Sequence, residues 1–194
     1  IATGDRRLIA INAKTGEIYP DFGVDGEGFT DTSKRLGRDI NIRNYTHNSP
    51  VTVCGNTVVV GSIISDGPSS PSMPPGHVRG YDVRTGAMKW IFHTIPQPGE
   101  LGNETWENGS WKYTGNTNVW TAMACDPDLG MVYLPTSTPT NDWYGGHRHG
   151  DNLFAESIVA LDAETGEEAW RFYTIARPDA TGGNSWNGLP LEER

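Results

Sequence analysis

The sequence predicts an all-β chain, a partial β-propeller of about two and a half to three four-stranded antiparallel blades. Three observations carry this. A ten-residue motif at 81–90 (YDVRTGAMKW) recurs at 161–170 (LDAETGEEAW), with a weaker copy at 11–19. Its Thr–Gly pairs lie 70 and then 80 residues apart. Short runs rich in β-branched and aromatic residues fill the space between copies, each bounded by turn chemistry. Composition agrees: 24 Gly, 13 Pro and 7 Trp suit short strands with many turns, and no long segment keeps apolar residues at helical spacing.

Residues 1–22 read as a blade remnant, with strands at 1–3, 7–12 and 17–22. The polar, Gly-rich stretch 23–48 has no periodicity and reads as a long crossing loop. A blade follows at 49–93, with strands at 49–54, 57–61, 77–82 and 87–93 and a Pro/Ser loop at 67–75. An elaborated loop at 96–113 carries Trp106 and Trp111. The next blade, 117–174, has runs at 118–124, 130–134, 157–162 and 168–174 and a long polar loop at 135–156. In each motif copy Gly stands where a short hairpin needs a left-handed residue: Gly16, Gly86 and Gly166. The tail 176–194 is irregular. Closed propellers have about four to eight blades, so the chain is expected to need further blades or another copy of itself.

The formal charge of −9 argues against nucleic acid or an anionic membrane surface as partner. The longest apolar run, 58–64, is broken by Gly61 and Ser62 and is too short to span a bilayer. No signal peptide is legible and Ile1 already reads as part of a strand, which suggests an internal fragment or a processed product. Cys54 and Cys125 each fall in the first strand of their blade. Their spacing fits no metal or redox motif, and they are expected as two buried core thiols.

The repeated x-D-x-x-T-G-x-x-x-W pattern resembles the tryptophan-docking motif of quinoprotein dehydrogenases, as do the segments at 7–12, 48–50, 61–66, 78–82, 132–135 and 145–148. These are eight-bladed propellers that bind pyrroloquinoline quinone (PQQ). The resemblance covers roughly the first 175 residues and is nearest to the membrane-bound glucose dehydrogenase branch. It implies oxidation of an aldose, or of an alcohol, in the periplasm, with electrons passing to a quinone or cytochrome acceptor. It further implies calcium or magnesium on the cofactor, because a hard cation prefers oxygen ligands.

Carried over residue by residue, the resemblance puts Trp120 flat against the quinone ring system as an aromatic floor. Asn48 falls at a position bonding the cofactor edge. Ile63 and Ser65 line the cofactor through backbone amides. Asp66 falls at the acidic metal ligand, and Thr138 stands where the alcohol-oxidising branch has an asparagine ligand. His147, Arg148 and His149 lack a third ligand and read as a solvated loop. The segment 176–194 departs from the family pattern; its one aspartate, Asp179, has the wrong context, so no catalytic residue is assigned. The alternative is a noncatalytic propeller used as a binding scaffold. Trp120 separates the two readings, since a scaffold needs no aromatic floor near its axis.

Overall fold

The structure, a computed structural model, describes residues 1–23, 26–65, 67, 70–177 and 180–185. Its strands in chain order are β1 (Arg7–Ile9), β2 (Phe29–Asp31), β3 (Tyr45–Thr46), β4 (Thr52–Cys54), β5 (Thr57–Val60), β6 (Ile63–Ile64), β7 (Val78–Asp82) and β8 (Met88–Phe92). Then come β9 (Ala124–Asp126), β10 (Met131–Pro135), β11 (Ser157–Asp162) and β12 (Glu168–Tyr173). Two four-stranded antiparallel sheets, β4-β5-β7-β8 and β9-β10-β11-β12, form successive blades; β1-β2 and β3-β6 are two-stranded. The result is a partial, unclosed β-propeller.

The repeated hairpins follow from local chemistry. The Asp82 carboxylate accepts from the amides of Arg84 at 3.0 Å and Thr85 at 2.8 Å. The Asp162 carboxylate accepts from Glu164 at 2.9 Å and Thr165 at 2.8 Å. Asn12 does the same with Lys14 at 2.9 Å. These amides, Thr85 and Thr165 foremost, hold both carboxyls below their ordinary value. Gly86 and Gly166 then take φ of +71° and +76°. Each blade also slips register at the same point, Gly80/Tyr81 in one and Ala160/Leu161 in the other.

The hairpins also join the blades. Trp90 Nε1 donates to the Ala163 carbonyl at 3.0 Å, and a Cβ on Gly166 would come within 2.6 Å of the indole. One blade earlier, a Cβ on Gly86 would meet the Phe22 ring at 2.8 Å. Trp90 is therefore only 8% exposed, whereas its counterpart Trp170 is 48% exposed. Between the two blades lies one apolar core, with Val59, Val78 and Phe92 facing Val132, Leu134 and Leu161.

Three expectations are corrected. Cys54 and Cys125 are not free thiols: they form a disulfide across a Cα–Cα distance of 5.7 Å, within the range a bridge spans. The repeat sets β4 beside β9, and equivalent positions of neighbouring blades meet there. The stretch 23–48 is not all loop, because it contains β2, which pairs with β1, and β3, which pairs with β6. The run 118–124 does not form a strand over its length. β9 begins only at Ala124, and the preceding carbonyls are held by groups of the previous blade instead.

Candidate functional site

Those groups place Trp120. The Ser62 amide donates to the Val119 carbonyl at 3.0 Å. Ser49 Oγ donates to the Trp120 carbonyl, and Thr52 Oγ1 to the Met123 carbonyl at 3.2 Å. Gly61 is required here, since a Cβ would overlap the Val119 carbonyl oxygen. Asn118 completes the brace. Its Nδ2 donates to the Ser62 carbonyl at 2.7 Å, and its Oδ1 accepts from Ser137 Oγ at 2.6 Å. With the backbone fixed on both sides, the indole of Trp120 is left 58% exposed.

Trp120 lines a cleft of about 290 Å³. Ile63 and Thr138, two other residues singled out from the sequence, line the same cleft. Ile64, Asn116, Asn118, Ser137 and Asp142 complete it. Asn48 does not join them. It lines a pocket of about 10 Å³ flanking Val119 and Thr121, room for about one water. Ser65 is exposed, and its amide donates to the Asn44 carbonyl at 3.1 Å, so that amide is not available to a ligand. Asp66 and Asp179 lie outside the described residues.

The polar side of the cleft is anchored at Thr138, whose Oγ1 donates to the Glu156 carboxylate. A larger cleft, about 620 Å³, opens on the other side of Thr138 and includes Arg148, Glu156 and Arg177. Burial lowers the half-buried Arg148 guanidinium from its ordinary value, and the Asp142 and Glu156 carboxylates oppose that. The segment His147–His149 braces the loop: His147 Nε2 lies 2.9 Å from the Thr140 carbonyl, and Arg148 donates to Asn152 Oδ1 at 2.8 Å.

Whether these residues suit a planar quinone and a hard cation can be judged from the donors present. An exposed indole beside a cleft is a fitting platform for a flat ring system. Among the described residues no group of three or more His, Cys, Asp or Glu is assembled to hold a metal. Among the described residues, the side-chain oxygens lining the cleft belong to Asn116, Asn118, Ser137, Thr138 and Asp142. Sequence reading missed Asn116, Asn118, Ser137 and Asp142. Asn118 alone had a signal, as the Asn of Asn-x-Trp; the others come to the cleft by loop geometry.

Comparison with known proteins agrees with this architecture. The family model for the β-propeller domain of PQQ glucose/ethanol/alcohol dehydrogenases matches residues 1–188. The quinate/shikimate dehydrogenase (quinone) of Acinetobacter baylyi is 38% identical over 175 residues, which is 89% of this chain and 21% of that protein. Quinoprotein glucose dehydrogenase A of Acinetobacter calcoaceticus is 33% identical, over 90% of this chain and 21% of that one. A quinohemoprotein alcohol dehydrogenase (ADHIIG) of Pseudomonas putida HK5 superposes with a TM-score of 0.70 at 30% identity, over 90% of this chain and 25% of that structure. The chain thus spans about a fifth of the curated relatives' length. No single branch, glucose or alcohol, stands clearly nearest. The chain belongs to the PQQ-dependent quinoprotein dehydrogenase family, as a segment of its β-propeller domain.

Proposed function

We propose that this segment supplies one aromatic face of the cofactor site in a PQQ-dependent dehydrogenase that oxidises a CH–OH group. The observation that carries the reading is Trp120, braced on both sides yet exposed over a cleft in a chain of this family. PQQ would supply the redox chemistry, as acceptor of one hydride (two electrons and a proton) from the alcohol carbon, while the hydroxyl proton leaves to a base. The protein's part is placement. Trp120 stacks on the ring system, and the Asn118–Ser62–Ser137 brace fixes the backbone that carries it. Ile63 closes one side of the cleft with apolar surface, and Thr138 and Asp142 supply polar edge contacts.

Asp66 and Thr138 are proposed toward the calcium or magnesium ion, and Asn48 and Ser65 toward the cofactor edge. Two of these need adjustments: Asn48 must act from a neighbouring pocket, and Ser65 must act through its hydroxyl, whereas Thr138 donates its proton to Glu156 and keeps its lone pairs for a cation. The relatives named for quinate, shikimate and glucose act on ring polyols, so we assign an aldose or another ring polyol as substrate, ahead of a simple alcohol. A quinone or cytochrome acceptor and a periplasmic location complete the proposal. Among the described residues no helix is long and apolar enough to cross a membrane, and a disulfide favours an oxidising compartment. Blade boundaries at 1–22, 49–93 and 117–174 are proposed as the units of a larger propeller.

The test is a titration of the full-length protein with PQQ plus calcium or magnesium, followed by tryptophan fluorescence. Saturable, metal-dependent quenching is expected, weakened about tenfold or more in Trp120→Ala through loss of a stacked aromatic face. Equal affinity in both proteins overturns the assignment of Trp120, and no binding to the folded wild type overturns the cofactor reading.

A further inference from the structure

We infer that the Cys54–Cys125 disulfide is a positioning element of the Trp120 site: it sets the register in which the run before β9 lies against β4, and so holds the indole where a planar quinone stacks. This deepens the cofactor reading above and rests on it. The observation is a constant offset. Ser49 and Trp120, Thr52 and Met123, and Cys54 and Cys125 are each 71 residues apart. Three successive cross-links therefore run in one register, two through side-chain hydrogen bonds and the last covalent.

The segment shows why the covalent link matters. Trp120, Thr121 and Ala122 are all exposed, so burial does not hold them. Among the described residues no backbone ladder joins β4 to β9. The Ser49 bond to the Trp120 carbonyl is itself exposed, and water competes for both partners. Hydrogen bonds of this kind re-form readily after a shift along β4. A disulfide does not, because it joins only the one pair of positions within bridging distance. The Ser62 amide fixes the Val119 carbonyl on one side of the exposed span, and the disulfide fixes Cys125 on the other. Trp120 lies between these two anchors. Cohesion of the blades has other sources: their shared apolar core and the bond from Trp90 to the Ala163 carbonyl.

The experiment uses the full-length protein with calcium present. PQQ affinity is read by equilibrium dialysis, and folding is checked by calorimetry. Four proteins form a cycle: wild type, the double variant Cys54→Ser with Cys125→Ser, Trp120→Ala, and all three changes together. With Trp120 present, loss of the disulfide is expected to weaken PQQ binding about threefold to tenfold. In the Trp120→Ala background the same loss is expected to be less than about twofold, since the indole it positions is gone. Thr52→Val, which breaks the middle contact and keeps the disulfide, weakens PQQ binding in the same Trp120-dependent way. Gly166→Ala, destabilised at another hairpin, keeps the wild-type affinity. Equal losses with and without Trp120, no loss at all, or a matching loss in Gly166→Ala each overturn the inference. So does a double variant that is unfolded at the assay temperature, because the bond would then serve the whole fold. Absence of PQQ binding to the folded wild type overturns the cofactor reading itself, and shows before any variant is made.

Discussion

Replacing Cys54 and Cys125 together by serine removes the covalent link between β4 and β9 of the two blades. The cysteines are 71 residues apart in sequence. Closing a loop of that length restricts the unfolded chain by an entropy worth about 4 kcal/mol at room temperature. The unfolding entropy of a domain of this size is roughly 0.4 kcal/mol per kelvin. For the 194-residue chain the two together give a fall in melting temperature of about 10 °C. Calorimetry of the double variant, and of wild type with and without a thiol reductant, measures it. Wild type under reductant should match the variant to within a few degrees, because both lose the same constraint. A shift below about 2 °C in both would refute the reasoning. It would mean that the Ser49–Trp120 and Thr52–Met123 contacts already hold the segments together in the unfolded ensemble.

Gly166→Ala should cost about 2–4 kcal/mol in denaturant unfolding, from left-handed strain plus overlap with the Trp90 indole. Gly16→Ala, at φ +77° with open space around it, should cost only about 1 kcal/mol, and equal losses would sink the docking argument. Acid should destabilise the fold in two stages. Burial lowers His47 to about 4 and His77 well below its ordinary value, so both are neutral when folded. Their contribution is complete above about pH 6.5 and is lost as pH falls toward the folded value. Asp82 and Asp162, lowered in the fold, contribute above about pH 4 and lose that contribution at lower pH. A flat melting temperature between pH 7 and 5 would contradict the histidine part. Asn118→Ala should weaken PQQ quenching several-fold while leaving both blades folded, and undiminished quenching would remove Asn118 from the brace.

What could be read from the sequence was local. The Asp-x-x-Thr-Gly hairpins announce themselves because their bonds run between neighbours, Asp82 with Thr85 and Asp162 with Thr165. Strand β2 escaped because three residues with no alternation find their partner only across the chain, in β1. The disulfide escaped because two cysteines so far apart in sequence become neighbours only once consecutive blades stack. The run before β9 looked like a strand by residue type. Serine and threonine side chains and one amide of the preceding blade hold its carbonyls, and nothing in its own residues says so. Trp120, Ile63 and Thr138 were found through family likeness, and the structure sets them around one cleft.

The docking of Trp90 by the following hairpin, as of Phe22 by the hairpin before it, gives the chain a direction in time. Trp90 is capped by Ala163 and Gly166, about 76 residues further on. At a synthesis rate of about 5–20 residues per second, a nascent blade waits roughly 4–15 s with that indole uncovered. Trp170, at the equivalent position of the next blade, is 48% exposed. For these blades a newly made hairpin completes the packing of the blade before it rather than its own. Chaperone demand should peak once per repeat, just before each Thr–Gly turn emerges.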